Sequence, residues 1–170
     1  MVKTRNVLSG AVFAALAAFG GAGNAQDGDG MGLSDTQTNR VLSQMAPGLE
    51  TCAGVEIAYR PDCFQQVYRS GARLLSNNAG YWEAEVALTR VGRNLYNFVR
   101  ANGDSSADRI REGGFRLKAV TASSLPEAGA LYRDNAAKAE DILRSGSAAE
   151  TKYFEPIAEL VGKYKDAIPQ

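Results

Sequence analysis

Apolar side chains recur along this chain at alternating intervals of three and four, most clearly from Tyr81 through Ala84, Leu88, Val91 and Leu95 to Phe98. A helix turns once in about 3.6 residues, so this spacing lays one apolar seam along a helix and predicts one over about 80–101. Phe154, Ile157, Val161, Tyr164 and Ile168 repeat the rhythm and predict another helix near the end. Pro156 lies inside that run and implies a kink or a late start.

Capping and turn residues place the other elements. Ser34 with Gln37 fits a capping box ahead of Val41, Leu42 and Met45, which predicts a short first helix that stops before Pro47-Gly48. In "RPDC", Asp62 is placed to cap a helix over about 63–76, with Phe64, Val67, Gly71 and Leu74 on one face and Tyr68, Ala72 and Leu75 beside them. Ser124 with Glu127 opens a further helix to about 144, carrying Leu125, Ala128, Tyr132, Ala139 and Leu143 inward, and Ser147 with Glu150 opens the last. Between them, "FRLKAVTA" alternates like a strand, yet one short strand has no partner elsewhere. Residues 105–123 therefore read as an irregular crossover with at most a helical turn.

Four substantial helices with short connections favour antiparallel neighbours. The expected fold is all-α: an antiparallel four-helix bundle with an additional short N-terminal helix across it, in one domain over 34–170.

The N-terminus changes the picture of where this domain works. Lys3 and Arg5 precede the apolar, Ala-rich stretch "NVLSGAVFAALAAFGG", and small residues stand before Gln26. This is the pattern of a cleaved secretory signal over 1–25. The stretch is too short and Gly-rich to span a bilayer, which takes about 20 apolar residues. The first cysteine, at position 52, stands too far from the apolar run for lipid attachment, and the lack of an N-x-S/T sequon fits a bacterial periplasm, with secretion as the variant. "QDGDGMGL", 26–33, reads as a flexible leader, because Asp27 and Asp29 begin a calcium-loop pattern that Met31 and a missing distal Glu break.

Removing residues 1–25 from 170 leaves 145, an ordinary size for one domain. Lys3 and Arg5 leave with the signal, which takes the basic residues from 19 to 17 against 19 acidic ones, a formal charge of −2. That balance gives no electrostatic reason to expect nucleic acid, and no segment suggests stable membrane insertion.

Cys52 and Cys63 are the only cysteines and there is no histidine. In an oxidising compartment an even, close pair reads as a disulfide. The same inventory lacks the ligands for the usual zinc sites, the C-x-x-C-H of covalent haem, and the histidine of Cys–His or Ser–His–Asp chemistry. Non-covalent haem would have only Met or Tyr as ligands. No catalytic, cofactor or metal residue is assigned, and no cofactor is expected.

One surface motif stands out. Trp82, Val86, Thr89, Arg93, Tyr96 and Arg100 form a second stripe on the 80–101 helix, away from the apolar seam. Aromatic and Arg side chains dominate binding hot spots, so the stripe reads as a patch for a protein partner or a small anionic ligand. The plainer reading has the first helix and the cysteine loop covering Trp82 and Val86. Arg90 and Arg93, with Arg69 and Arg73 of the preceding helix, would form a basic cluster, unless Glu83, Glu85 or Asp62 neutralise it. Glu155 and Glu159 share a helical face, but acid–base work needs two carboxylates in different environments. The expected function is thus a non-enzymatic accessory or adaptor binding a protein or small ligand. The competing expectation is an enzyme using carboxylates, arginines and tyrosines on a cell-envelope substrate, which requires a cleft.

Overall fold

Ser34 starts the first helix. Its hydroxyl accepts from the Gln37 backbone N–H at 3.2 Å, which caps α1, Asp35–Gly54. The computed structural model describes residues 32–169. The expected export signal, and all of the expected leader but Gly32 and Leu33, lie outside the described residues. Leu33 itself belongs to the core, where it is fully buried.

Helix α1 is not short and does not stop at Pro47. It runs 20 residues. Pro47 and Ser43, whose carbonyl loses its partner four residues on, both face solvent, while Leu49 and Cys52 beyond the proline are fully buried. An interior proline costs about 3 kcal/mol. Burying Leu49 offsets roughly 1.5–3 kcal/mol of it, and the bond from Cys52 to Cys63 fastens the helix beyond the proline.

A 3-10 turn at Ile57–Tyr59 leads into α2, Arg60–Leu75, and another at Ala79–Tyr81 leads into α3, Trp82–Asn102. Asp62 is not the α2 cap. The helix begins two residues earlier, with Pro61 in a first-turn position where its missing N–H is no loss.

The 105–123 segment corrects the sequence reading further. Strand β1, Ile110–Glu112, pairs antiparallel with β2, Phe115–Leu117. Gly113 and Gly114 make the two-residue turn at φ 54° and 82°, a left-handed backbone that glycine adopts without cost and that matches hairpin twist. The strand-like run has its partner just upstream of itself. Gly103 bridges Val120 at the hairpin's base.

After a 3-10 turn at Ala122–Ser124 come α4, Leu125–Arg144, and α5, Ala148–Tyr164. Ser124 makes no cap, since its hydroxyl donates to Thr121 O at 2.8 Å. The Ser147–Glu150 box does form, in both directions. Helix α5 runs through Pro156 rather than starting after it.

Each helix packs on the next in sequence, and α1 also packs on α5. Their apolar faces meet in one core that includes Met45, Phe64, Leu88, Leu95, Tyr132, Phe154 and Val161, all fully buried. The fold is therefore mainly helical with one disulfide. Cys52, near the end of α1, is bonded to Cys63 in the first turn of α2, with Cα atoms 5.4 Å apart. Arg60 fastens the same corner to the C-terminal segment, donating from Nε to Val55 O and from Nη1 to Ala167 O at 2.8 and 2.7 Å.

Candidate functional site

Helix α3 buries Ala84, Leu88, Val91 and Leu95 completely, which turns its second stripe outward. Trp82 is 63% exposed and Tyr96 42%. The cover expected over Trp82 is therefore missing. Trp82, Val86, Arg90 and Arg93, with Glu85 and Thr89, line one open depression of about 280 Å³.

The remaining candidate residues separate into two other places. Arg69 and Arg73 line a depression of about 360 Å³ with Gln65, Gln66, Ser70 and Phe115, between α2 and the hairpin. The Arg69 guanidinium also lies 5.3 Å from the Tyr96 ring centroid, a cation–π contact that links this place to the outer side of α3. Close approach of the helices allows it, since a Cβ on Gly92 would stand 2.7 Å from Arg69 Cγ and 3.1 Å from its backbone N. Arg100 is apart from both. It lies in the last turn of α3 and lines a third depression, of about 300 Å³, with Arg109 and Lys118.

Charge on this side of the molecule is uncompensated. Among the described residues, none of Arg69, Arg73, Arg90, Arg93 and Arg100 has a carboxylate oxygen within 4.0 Å; the ion pairs lie on α1, α4, α5 and the C-terminal turn, as in Arg133–Asp166, Lys138–Asp134 and Arg144–Glu155. The neutralising acids expected from the sequence are engaged elsewhere or stand off, and Asp62 is buried on the hairpin. Residues 60–118 hold ten of the 19 basic residues and six of the 19 acidic ones, a net +4 in a chain that balances overall.

Other candidate groups do not converge. Glu155 pairs with Arg144, and Glu159 is exposed without joining it in a cleft. Tyr68 and Tyr132 are sealed in the core with hydroxyl oxygens 3.3 Å apart. Burial drives both phenols well above their ordinary range. Glu50, Glu56 and Glu112 line an open depression of about 580 Å³ between α1 and the hairpin, but no group of acids among the described residues is arranged to hold a metal ion. Gln65 Oε1 is buried without a donor, yet it is closed off from solvent and from any ligand in the adjoining depression.

Sequence reasoning missed the hairpin cations Arg109, Arg111, Arg116 and Lys118. The signal for them was the alternation of basic residues in "RIREGGFRLK". No described helix is long and apolar enough to cross a membrane. No family model, curated protein or solved structure matches this chain.

Proposed function

We propose that this protein is an exported, non-enzymatic adaptor that captures a protein partner on the outer side of α2 and α3. Trp82, Val86, Arg90 and Arg93 form the centre of the docking face, with Arg69, Arg73 and Tyr96 beside it. One observation carries the reading: the chain's sole tryptophan is largely exposed in a depression with two arginines that no carboxylate among the described residues pairs. An exposed indole next to uncommitted guanidiniums is the hot-spot chemistry of interfaces. The partner it suits presents acidic side chains around an apolar one.

Beneath this face, α2 to α5 are read as an antiparallel four-helix frame, with α1 laid against α2 and α5. The compartment in this reading is the periplasm, reached by cleavage after Ala25. The apolar N-terminal run and the buried Cys52–Cys63 pair support it.

Native mass spectrometry of the tagged protein drawn gently from its own periplasm tests both parts. The expected result is a chain beginning at Gln26 in a heteromeric complex that Arg90→Glu/Arg93→Glu abolishes and Lys138→Gln/Lys163→Gln leaves intact. A complex that survives the α3 substitution removes this face from the reading. An uncleaved N-terminus removes the export.

A further inference from the structure

The hairpin sorts its charges by face. In register, Arg111 stands opposite Arg116, and Ile110 opposite Leu117. Arg109 and Lys118 flank the paired residues at the open end of the ribbon. Side chains alternate along a strand, so Arg111 and Arg116 share one face, while Ile110, Glu112, Phe115 and Leu117 share the other. The apolar face packs inward, with Leu117 fully buried. All four cations are exposed, and none has a carboxylate oxygen within 4.0 Å among the described residues.

Like charges directly opposite each other weaken a strand pair, and a lone two-stranded ribbon is marginal to begin with. This one carries such a pair, Arg111 and Arg116, with two more cations at its open end, and is held by other means. Asp62 Oδ2 accepts the Lys118 backbone N–H at 2.8 Å, Gln66 Nε2 donates to Arg116 O at 3.2 Å, and the Tyr59 hydroxyl donates to Asp108 O at 2.8 Å. An anion held among these cations would relieve the repulsion.

The base of this face is concave. Arg100 from α3, Arg109 from before β1 and Lys118 from after β2 line the depression of about 300 Å³. Gly103, Asp104 and Ala119 also line it, and Asp104 N donates to Ala119 O at 2.9 Å. Val99, Ala107 and Ala119 give it apolar wall. The one carboxylate there, Asp104, is folded back onto Ser106, accepting from its Oγ at 2.6 Å and its N at 2.8 Å. Those bonds hold its carboxyl below the usual range.

We propose that this depression binds a small phosphorylated molecule, with the phosphate held by Arg100, Arg109 and Lys118 and its organic part against Val99 and Ala107. The site is separate from the protein-docking face and does not depend on it. Guanidinium forks match phosphate oxygens in pairs, and three cations lining one depression suit a dianion better than a single carboxylate. The volume, at the lower end of ligand pockets, suits a small ligand rather than a polymer. Arg111 and Arg116 extend the field along the ribbon and draw the anion to the mouth.

Inorganic pyrophosphate is the probe. Titrated at low salt into the intact protein, it is expected to shift the backbone amides of Gly103, Ser105 and Ala119 saturably in NMR spectra. Arg109→Gln/Lys118→Gln weakens binding about tenfold or more, as expected for losing two charge-assisted contacts. Lys138→Gln/Lys163→Gln, which removes the same charge from exposed sites elsewhere, leaves it unchanged. Equal weakening by both double variants, or shifts that never saturate, overturns the site. Binding to phosphatidylglycerol vesicles with none to pyrophosphate overturns it too, in favour of a membrane-facing role for the ribbon.

Discussion

Asp62 and Lys118 lie 56 residues apart and are joined by a 2.8 Å hydrogen bond from the Lys118 backbone N–H to Asp62 Oδ2. Asp62 is 5% exposed, and its other oxygen accepts from Gln65 Nε2 at 2.9 Å. A carboxylate in the first turn of α2, where the helix dipole favours negative charge, thus holds the exit of the hairpin. Asp62→Ala leaves these donors unpaired and is expected to cost about 2–3 kcal/mol in denaturant unfolding. Hydrogen exchange adds a local readout. The Lys118 amide should lose its protection in Asp62→Ala and keep part of it in Asp62→Asn.

The Cys52–Cys63 bond spans 11 positions of chain. Closing a loop of that size stabilises by about 3 kcal/mol in the chain-entropy account. Urea unfolding of Cys52→Ser/Cys63→Ser against the oxidised protein should show a loss near that figure. A loss well under 1 kcal/mol would mean that burial at the α1–α2 corner suffices without the bond.

Trp82→Ala should change stability by less than about 0.5 kcal/mol, the usual range for surface substitutions. Because Trp82 is the sole tryptophan, its fluorescence reports one site, which should be readily quenched by acrylamide. Slow quenching, or a stability loss of several kcal/mol, would place the ring under cover.

High pH should unfold this protein through its core. Tyr68 and Tyr132 ionise far less readily when buried than in the unfolded chain. Their folded values are raised, so the stability they contribute is fully present below the unfolded value near 10 and is lost as pH rises beyond it. Two such groups give a slope of about 3 kcal/mol per pH unit above that point. Urea midpoints measured between pH 9 and 11 should fall steeply in the natural protein and more gently in Tyr68→Phe/Tyr132→Phe.

Gly92→Ala should cost about 1–3 kcal/mol by overpacking. The new methyl would meet the Arg69 backbone N and Gln65 O at 3.1 and 3.3 Å, so α2 and α3 must part. A lowered melting temperature together with altered Tyr96 ring resonances would register the separation.

Periodicity made α3 legible to within two residues, because a seam of Ala84, Leu88, Val91 and Leu95 faces one core. It could not report which neighbour abuts the other side. Exposure of Trp82, and the separation of Arg100 from Arg93, therefore became visible only in the structure. Pro47 misled for a related reason. The proline rule concerns the backbone alone, whereas Leu49 and Cys52 beyond it supply the burial that keeps α1 going. At the hairpin the cue was present in Gly113-Gly114. The upstream strand has one apolar residue, Ile110, so its alternation is carried by charge and does not register as a hydrophobic pattern.

A formal charge of zero conceals how the charge is distributed. With +4 gathered in residues 60–118, −2 in 32–59 and −2 in 119–169, the described part of the molecule carries an electric dipole moment pointing towards α2, α3 and the hairpin. In the field of an anionic surface it is turned before it makes contact, basic side first. Its retention on a cation exchanger should exceed what its isoelectric point implies, because that column meets an oriented face rather than an average.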